Sequence, residues 1–291
     1  MSILPDRQVP SVHHRRIGDV VVTTLLDGYI DVGAALFHNI SEGEMTSDLE
    51  ASFARPTPRI TVNAYLVRSG GRTALVEAGS GNTLGPTLGW LQASLAAIGV
   101  SPLEIDTVLL THMHPDHSNG LTADDGSLVF PNAELRLHEL ERAHWLNDER
   151  FSRAEGRQVL YFETARERLR AYERNTSTFT GGEVFPGIYV EPIPGHTPGH
   201  TGYRIGAGTD SLLIWGDIVH LPEIQIHRPD VSTTMDSDPS AAIATRKRVL
   251  DMVASDRQLV AGMHVGFPGF GHVERTAGGY RFHQAGWSLE L

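Results

Sequence analysis

The stretch Thr111-His112-Met113-His114-Pro115-Asp116-His117 decides the fold. It directly follows Ile105–Leu110, an apolar run (Ile-Asp-Thr-Val-Leu-Leu) that reads as a buried strand. Three histidines and an aspartate therefore sit within six residues at a strand's end, where open α/β sheets tend to place their ligands. Imidazole and carboxylate are borderline-hard donors that suit Zn²⁺, Fe²⁺ or Mn²⁺. Donors packed this closely serve two adjacent ions more readily than one. A single histidine here would read as a surface or core-capping residue; this cluster, joined by the donors that follow, does not.

Further along the chain, the same device recurs. Pro194-Gly195-His196-Thr197-Pro198-Gly199-His200 ends one strand, Gly216-Asp217 ends another after Leu-Leu-Ile-Trp, and Gly262-Met263-His264 ends a third. Each strand runs apolar and stops at a glycine beside a metal-capable side chain. Glycine lets the backbone turn sharply and approach the site.

The remaining pattern is that of an α/β protein. Val20–Leu26, Thr61–Val67 and Thr73–Val76 read as strands, the last two joined by a hairpin at Gly70-Gly71. Residues 27–60 read as an irregular stretch. Leu84, Leu88, Leu91, Leu95 and Ile98 share one face of an amphipathic helix that stops at Gly99. Residues 139–175 read as one or two surface helices, punctuated by Trp145, Phe151, Tyr161 and Phe162. Strands follow at Ile188–Ile193, Gly202–Ile205 and Leu212–Trp215, and a helix opens at Asp238-Pro239. Leu259–Gly262 reads as the last core strand, before a glycine-rich tail. Residues 1–17 read as an N-terminal arm, and nothing resembles a linker, so 1–291 is expected to be a single domain.

Composition narrows the function classes. The 291 residues carry a formal charge of −11, which argues against a sequence-independent grip on nucleic acid. There is no cysteine, which excludes disulfides, thiolate zinc ligands, iron–sulfur clusters and thiol nucleophiles. Basic charge comes from arginine, with Lys247 as the single lysine, and histidine reaches 15 residues. No apolar run reaches the roughly 20 residues that span a bilayer, so no membrane partner is expected. The first ten residues lack the apolar core of a secretory signal. A cytoplasmic location is the resulting expectation, with a removed leader left open.

Taken together, His-x-His-x-Asp-His, Gly-His-Thr-Pro-Gly-His, Gly-Asp and a late His resemble the metallo-β-lactamase fold hydrolases, over roughly residues 18–275. The resemblance implies an αβ/βα sandwich, two mixed β-sheets flanked by helices. It implies two divalent metal ions, zinc ahead of manganese, iron or cobalt. His112, His114 and His196 resemble the ligands of one ion; Asp116, His117 and His264 resemble those of the other; Asp217 resembles the bridging carboxylate. Glu77-Ala78-Gly79 stands where the family usually has Asp-x-Gly.

The bridging Asp217 separates the chain from true zinc β-lactamases. The short, glycine-rich run after His264 makes glyoxalase II the less expected branch, and the acidic balance does the same for the RNA-processing branches. Gly216-Asp217-Ile218-Val219-His220, the run His264–Val273 and Thr23-Thr24-Leu25-Leu26-Asp27-Gly28 are similar to the methyl parathion hydrolase subgroup. The implied reaction is attack of a metal-bridging hydroxide on a lactone or aryl ester carbonyl, extending to organophosphate triesters. Alternatives are a quorum-quenching N-acyl-homoserine lactonase, many of which have tyrosine where His220 stands, and a mononuclear iron enzyme of the persulfide-dioxygenase type.

Within that reading Asp116 passes a proton to the leaving group. His220 either hydrogen-bonds the substrate or supports Asp217. His200 orients the His196 loop, and His272 is structural. Phe37, Trp145, Phe151 and Phe267 lie in segments that could wall a pocket for a small-molecule ester or lactone. A homodimer is the oligomeric state that relatives suggest.

Overall fold

The computed structural model describes residues 8, 9, 11–208 and 210–291. Two mixed seven-stranded sheets form its frame. The first runs in the order β1 (Val12–Ile17), β2 (Val20–Asp31), β4 (Arg59–Ser69), β5 (Arg72–Val76), β6 (Thr107–Leu109), β7 (Glu134–His138), β8 (Thr176–Phe179). The second runs β16 (Gly279–Gln284), β15 (Phe270–Thr276), β14 (Leu259–Ala261), β12 (Asp210–Ile214), β11 (Thr201–Ala207), β10 (Ile188–Pro192), β9 (Glu183–Phe185). A small pair, β3 (Phe37–His38) with β13 (Ser232–Thr233), lies apart.

Strand alternation sorts the apolar residues into layers. In β4, Tyr65 and Val67 join a core with Tyr203, Ile205 and Ile214 of the second sheet, so the two sheets face each other there. Ala64 and Leu66 point the other way, toward α2 (Leu91–Ala97), α4 (Glu139–Trp145) and α6 (Arg157–Ala171). On the far side, Leu213 of β12 and Val260 of β14 pack against Val249, Leu250 and Val253 of α8 (Pro239–Asp256). The order is helices, sheet, sheet, helices, the four-layer sandwich implied by the resemblance.

Several elements differ from the sequence reading. Val12–Ile17 is not part of a free arm: it pairs antiparallel along Val20–Leu25, while residues 1–7 and 10 lie outside the described residues. The stretch 27–60 is partly ordered into the end of β2, β3 and helix α1 (Glu42–Ala51), which a capping box between Ser41 and Glu44 starts. The leucine-spaced helix begins only at Leu91, because Gly85 and Gly89 hold positive φ angles of 105° and 84°. Residues 139–175 hold three α-helices: α4, α5 (Asp148–Ser152) and α6. The glycine-rich end is not a tail, since β15 and β16 form a hairpin that extends the second sheet. The Asp238 cap of α8 is as expected, its carboxylate accepting from Ala241 N at 3.0 Å. Two short helices of four residues each, α3 (Pro115–Ser118) and α7 (Pro222–Gln225), complete the elements. Among the described residues, no helix is long and apolar enough to cross a membrane.

Candidate metal centre

Four strands deliver the donors, each at its C-terminal end. Residues 111–117 follow β6, 194–200 follow β10, Gly216-Asp217 follow β12, and Gly262–His264 follow β14. The two facing sheets bring these ends to one edge, so residues up to 152 positions apart in sequence (His112 and His264) share one cluster.

Asp217 Oδ2 is the hub. His264 Nε2 lies 3.0 Å from it, His117 Nε2 3.2 Å, His220 Nε2 3.3 Å, His196 Nε2 3.5 Å and His112 Nε2 3.7 Å. Asp116 Oδ2 is 3.4 Å from His117 Nε2 and 3.5 Å from His264 Nε2. His114 Nδ1 lies 2.9 Å from His196 Nε2. Ligand atoms fall within 4.8 Å of one another in four groups: His112–His114–His196, His112–His117–Asp217, Asp116–His117–His264 and His196–Asp217–His220. The structure thus brings together all seven donors expected from the sequence and adds His220 to them.

This arrangement suits a cation. His112 Nε2, His117 Nε2, Asp217 Oδ1 and both ring nitrogens of His220 are buried without a hydrogen-bond partner. Buried polar atoms are normally satisfied, and leaving several unmet around one carboxylate is costly unless a positive ion is shared among them. Burial also pushes the pKa of His112 and of His114 well below the usual value, which keeps these rings neutral, the form that ligates. At His117 burial acts the same way, but the carboxylates of Asp217 and Asp116 outweigh it and raise the pKa.

The outward nitrogens of His196, His264 and His112 are anchored too, which fixes ring orientation. His196 Nδ1 meets Asp236 Oδ1 at 2.9 Å, and Asp236 Oδ2 accepts from Thr233 N at 2.8 Å. His264 Nδ1 meets the Thr61 carbonyl at 2.7 Å, and His112 Nδ1 the Thr111 hydroxyl at 3.0 Å. Glu77, at the family's aspartate position, faces His117 from behind with a longer side chain. It accepts from Thr111 N at 3.0 Å and lies 3.6 Å from His117 Nδ1. Its own φ of +70° is a conformation that residues other than glycine rarely adopt.

Glu141 has no counterpart in the sequence reading. This fully buried carboxylate accepts from Met113 N, Trp145 Nε1, the Thr197 hydroxyl and Gly199 N at 3.0, 2.6, 2.5 and 3.2 Å. It pins both histidine loops to α4. His200 ties a third strand end, its Nδ1 meeting the Ile193 carbonyl and its Nε2 accepting from Asp217 N, both at 2.9 Å. Gly216 is required there: its φ is +54°, and a Cβ would sit 2.3 Å from His200 Nε2.

The model of the metallo-beta-lactamase superfamily matches residues 57–264. The chain belongs to that superfamily. Among solved structures, the hydrolase AbOPH of the beta-lactamase superfamily is 31% identical, with 97% of this chain and 100% of that one covered and a TM-score of 0.90. AidC, described as a dizinc quorum-quenching lactonase, is 24% identical over 96% of this chain and 99% of its own, with a TM-score of 0.90. A probable metal-dependent hydrolase from Staphylococcus aureus is 22% identical over 94% of this chain and 100% of its own, with a TM-score of 0.73. A search of curated proteins finds no match. At this level the protein is a metallo-β-lactamase fold hydrolase whose histidine–aspartate cluster is able to bind metal.

Beside the cluster this superfamily member has a cavity of about 530 Å³, reached through His114. Of the expected aromatic wall only Trp145 lines it, joined by Tyr161 and Phe162. The rings of Tyr161 and Trp145 lie 5.1 and 5.7 Å from that of His114. Phe151 stands behind this wall, stacked on Phe162 with the Arg166 guanidinium over its face. Phe37 is buried in a separate cluster with Met45, Leu49 and Ile224, and Phe267 is not among the lining residues. Apolar character alone could not tell which face of each segment turns toward the donor cluster. His272 is exposed on β15, away from the cluster.

Proposed function

We propose that the protein is a binuclear metal-dependent hydrolase of lactones or aryl esters, with phosphotriesters as further substrates. His112, His114 and His196 would hold one divalent ion and Asp116, His117 and His264 the other, with Asp217 shared. Zinc heads the candidates, and manganese, iron and cobalt suit the same donors. When bound, such ions lower the pKa of water toward about 7 and polarise a carbonyl or phosphoryl oxygen.

The chain's own residues supply the rest. Asp116 is 16% exposed while the cluster histidines are 5% exposed or less, so it is the donor that can carry a proton out to a leaving group. His220 is fully buried and stacks on His264 at 16°. That favours its role as support for Asp217 over contact with substrate. Trp145 and Tyr161 present an apolar face to the substrate.

The observation that carries this reading is the Asp217 carboxylate ringed by five imidazole nitrogens at 3.0–3.7 Å. The test is an assay of metal-loaded protein on an acyl-homoserine lactone, a simple lactone, an aryl ester, a phosphotriester and a β-lactam. Oxygen uptake on glutathione persulfide is followed in parallel. Lactone or aryl ester hydrolysis without oxygen uptake is expected. Oxygen uptake by a protein with one iron per chain would replace this reading with the dioxygenase one.

A further inference from the structure

We propose, resting on the hydrolase reading above, that the preferred substrate carries a carboxylate at the end remote from its scissile bond, and that Arg150 and Arg157 hold it at the cavity mouth. The segment 139–175 contains eight arginines and eight acidic residues, so its overall charge balances. The part of it that lines the cavity does not: Arg150, Arg153 and Arg157 face it together with one acidic residue, Glu149. Glu149 is occupied, since its Oε1 lies 2.7 Å from Arg153 Nη2. Asp148, next to it, is held by Arg166 at 2.9 Å. Arg150 and Arg157 form no ion pair with a carboxylate among the described residues. The facing wall is uncharged, built from Thr234, Met235 and Ser237.

Two guanidiniums without a carboxylate partner among the described residues, at one mouth, are out of keeping with a chain of charge −11. They are also close to the donor cluster along the cavity. Arg157 and Tyr161 stand four residues apart on α6 and both line it, and the Tyr161 ring lies 5.1 Å from that of His114. The cavity thus runs from metal donors, across an aromatic wall, to arginine forks. Guanidinium binds carboxylate in a planar, two-toothed fashion. The volume of about 530 Å³ is that of a small-molecule site. A scissile carbonyl at His114, an apolar middle against Trp145 and Tyr161, and an anionic tail on the arginines would use every part of this wall.

The test compares two p-nitrophenyl esters of equal length, hexanoate and the half-ester of glutarate, on metal-loaded protein. The expected result is a kcat/KM ratio of about tenfold in favour of the half-ester, the size two exposed ion pairs of up to ~1 kcal/mol each allow. The preference is carried by KM and shrinks as salt rises. In the double variant Arg150→Gln/Arg157→Gln the ratio falls to near one, whereas Arg275→Gln/Arg281→Gln, the same loss of two positive charges on the distant β15–β16 hairpin, leaves it in place. Calorimetry with 4-phenylbutyrate against 4-phenylbutanamide reads binding without turnover, and the acid is expected to bind more tightly only while both arginines are present. Equal or reversed ester preference, or a preference that survives the double variant, overturns the proposal and leaves the hydrolase reading standing. Arginine-dependent binding of the acid with neither ester cleaved would do the reverse.

Discussion

The donor cluster and the cavity wall next to it are built in opposite ways. The cluster is drawn from four strand ends in two sheets, and His112, His196 and His264 in it are held from behind by a hydroxyl, a carboxylate and a carbonyl. The aromatic and charged part of the wall comes from one continuous segment, α4 to α6, whose ion pairs are short-range or exposed. A site built from many distant elements tolerates little change; a wall from one segment can vary without moving the donor cluster. On the proposed reading, the fold separates chemistry, on the strand ends, from selectivity, on the helices.

Changes at the cluster should then dominate. Asp217→Ala removes the carboxylate on which five rings converge. Hydrolysis is expected to fall about a thousandfold or more, roughly 4 kcal/mol of barrier, with metal content falling in parallel by elemental analysis. A variant that keeps both metal and rate would erase the contrast between the two regions.

Glu141 sits on the seam between them. Glu141→Leu leaves four buried donors without an acceptor, and a loss of about 3–5 kcal/mol in denaturant-induced unfolding is expected. A change under ~1 kcal/mol would mean that the seam is looser than its hydrogen bonds imply.

One step further out, Asp236→Asn weakens the anchor of His196. Metal affinity, read by competition with a chromogenic chelator, is expected to drop about 10- to 100-fold. The smallest effect belongs to the wall. Tyr161→Ala should shift the ratio of aryl to alkyl ester kcat/KM by about fivefold, near 1 kcal/mol, while Phe267→Ala, outside the cavity lining, leaves that ratio unchanged. If Phe267 and Tyr161 exchange these outcomes, the wall has been placed on the wrong side of the cluster.

What could be read from the sequence follows the same division. The seven donors were legible because each stands at the end of an apolar run, beside a glycine or within one dense motif. Their supports were not. Asp236 and Glu141 lie in ordinary polar surroundings, and only the fold brings them to His196 and Met113. The leucine spacing from Leu84 suggested a helix seven residues too early, because periodicity says nothing of the backbone forced on Gly85 and Gly89. Helix α1 carried a readable signal, the Ser41-x-x-Glu44 box, hidden in a stretch rich in glycine and proline. The hairpin β15–β16 was lost to its glycines; a Cβ at Gly271 would strike the Phe282 ring at 2.1 Å, so close packing rather than disorder explains that residue.

The central claim is that Asp217 and the six donors around it hold a pair of divalent ions. Elemental analysis of the purified protein, after loading with zinc and removal of excess, tests it most directly. Two metal equivalents per chain are expected. Saturation at one equivalent, or none retained, would contradict the account.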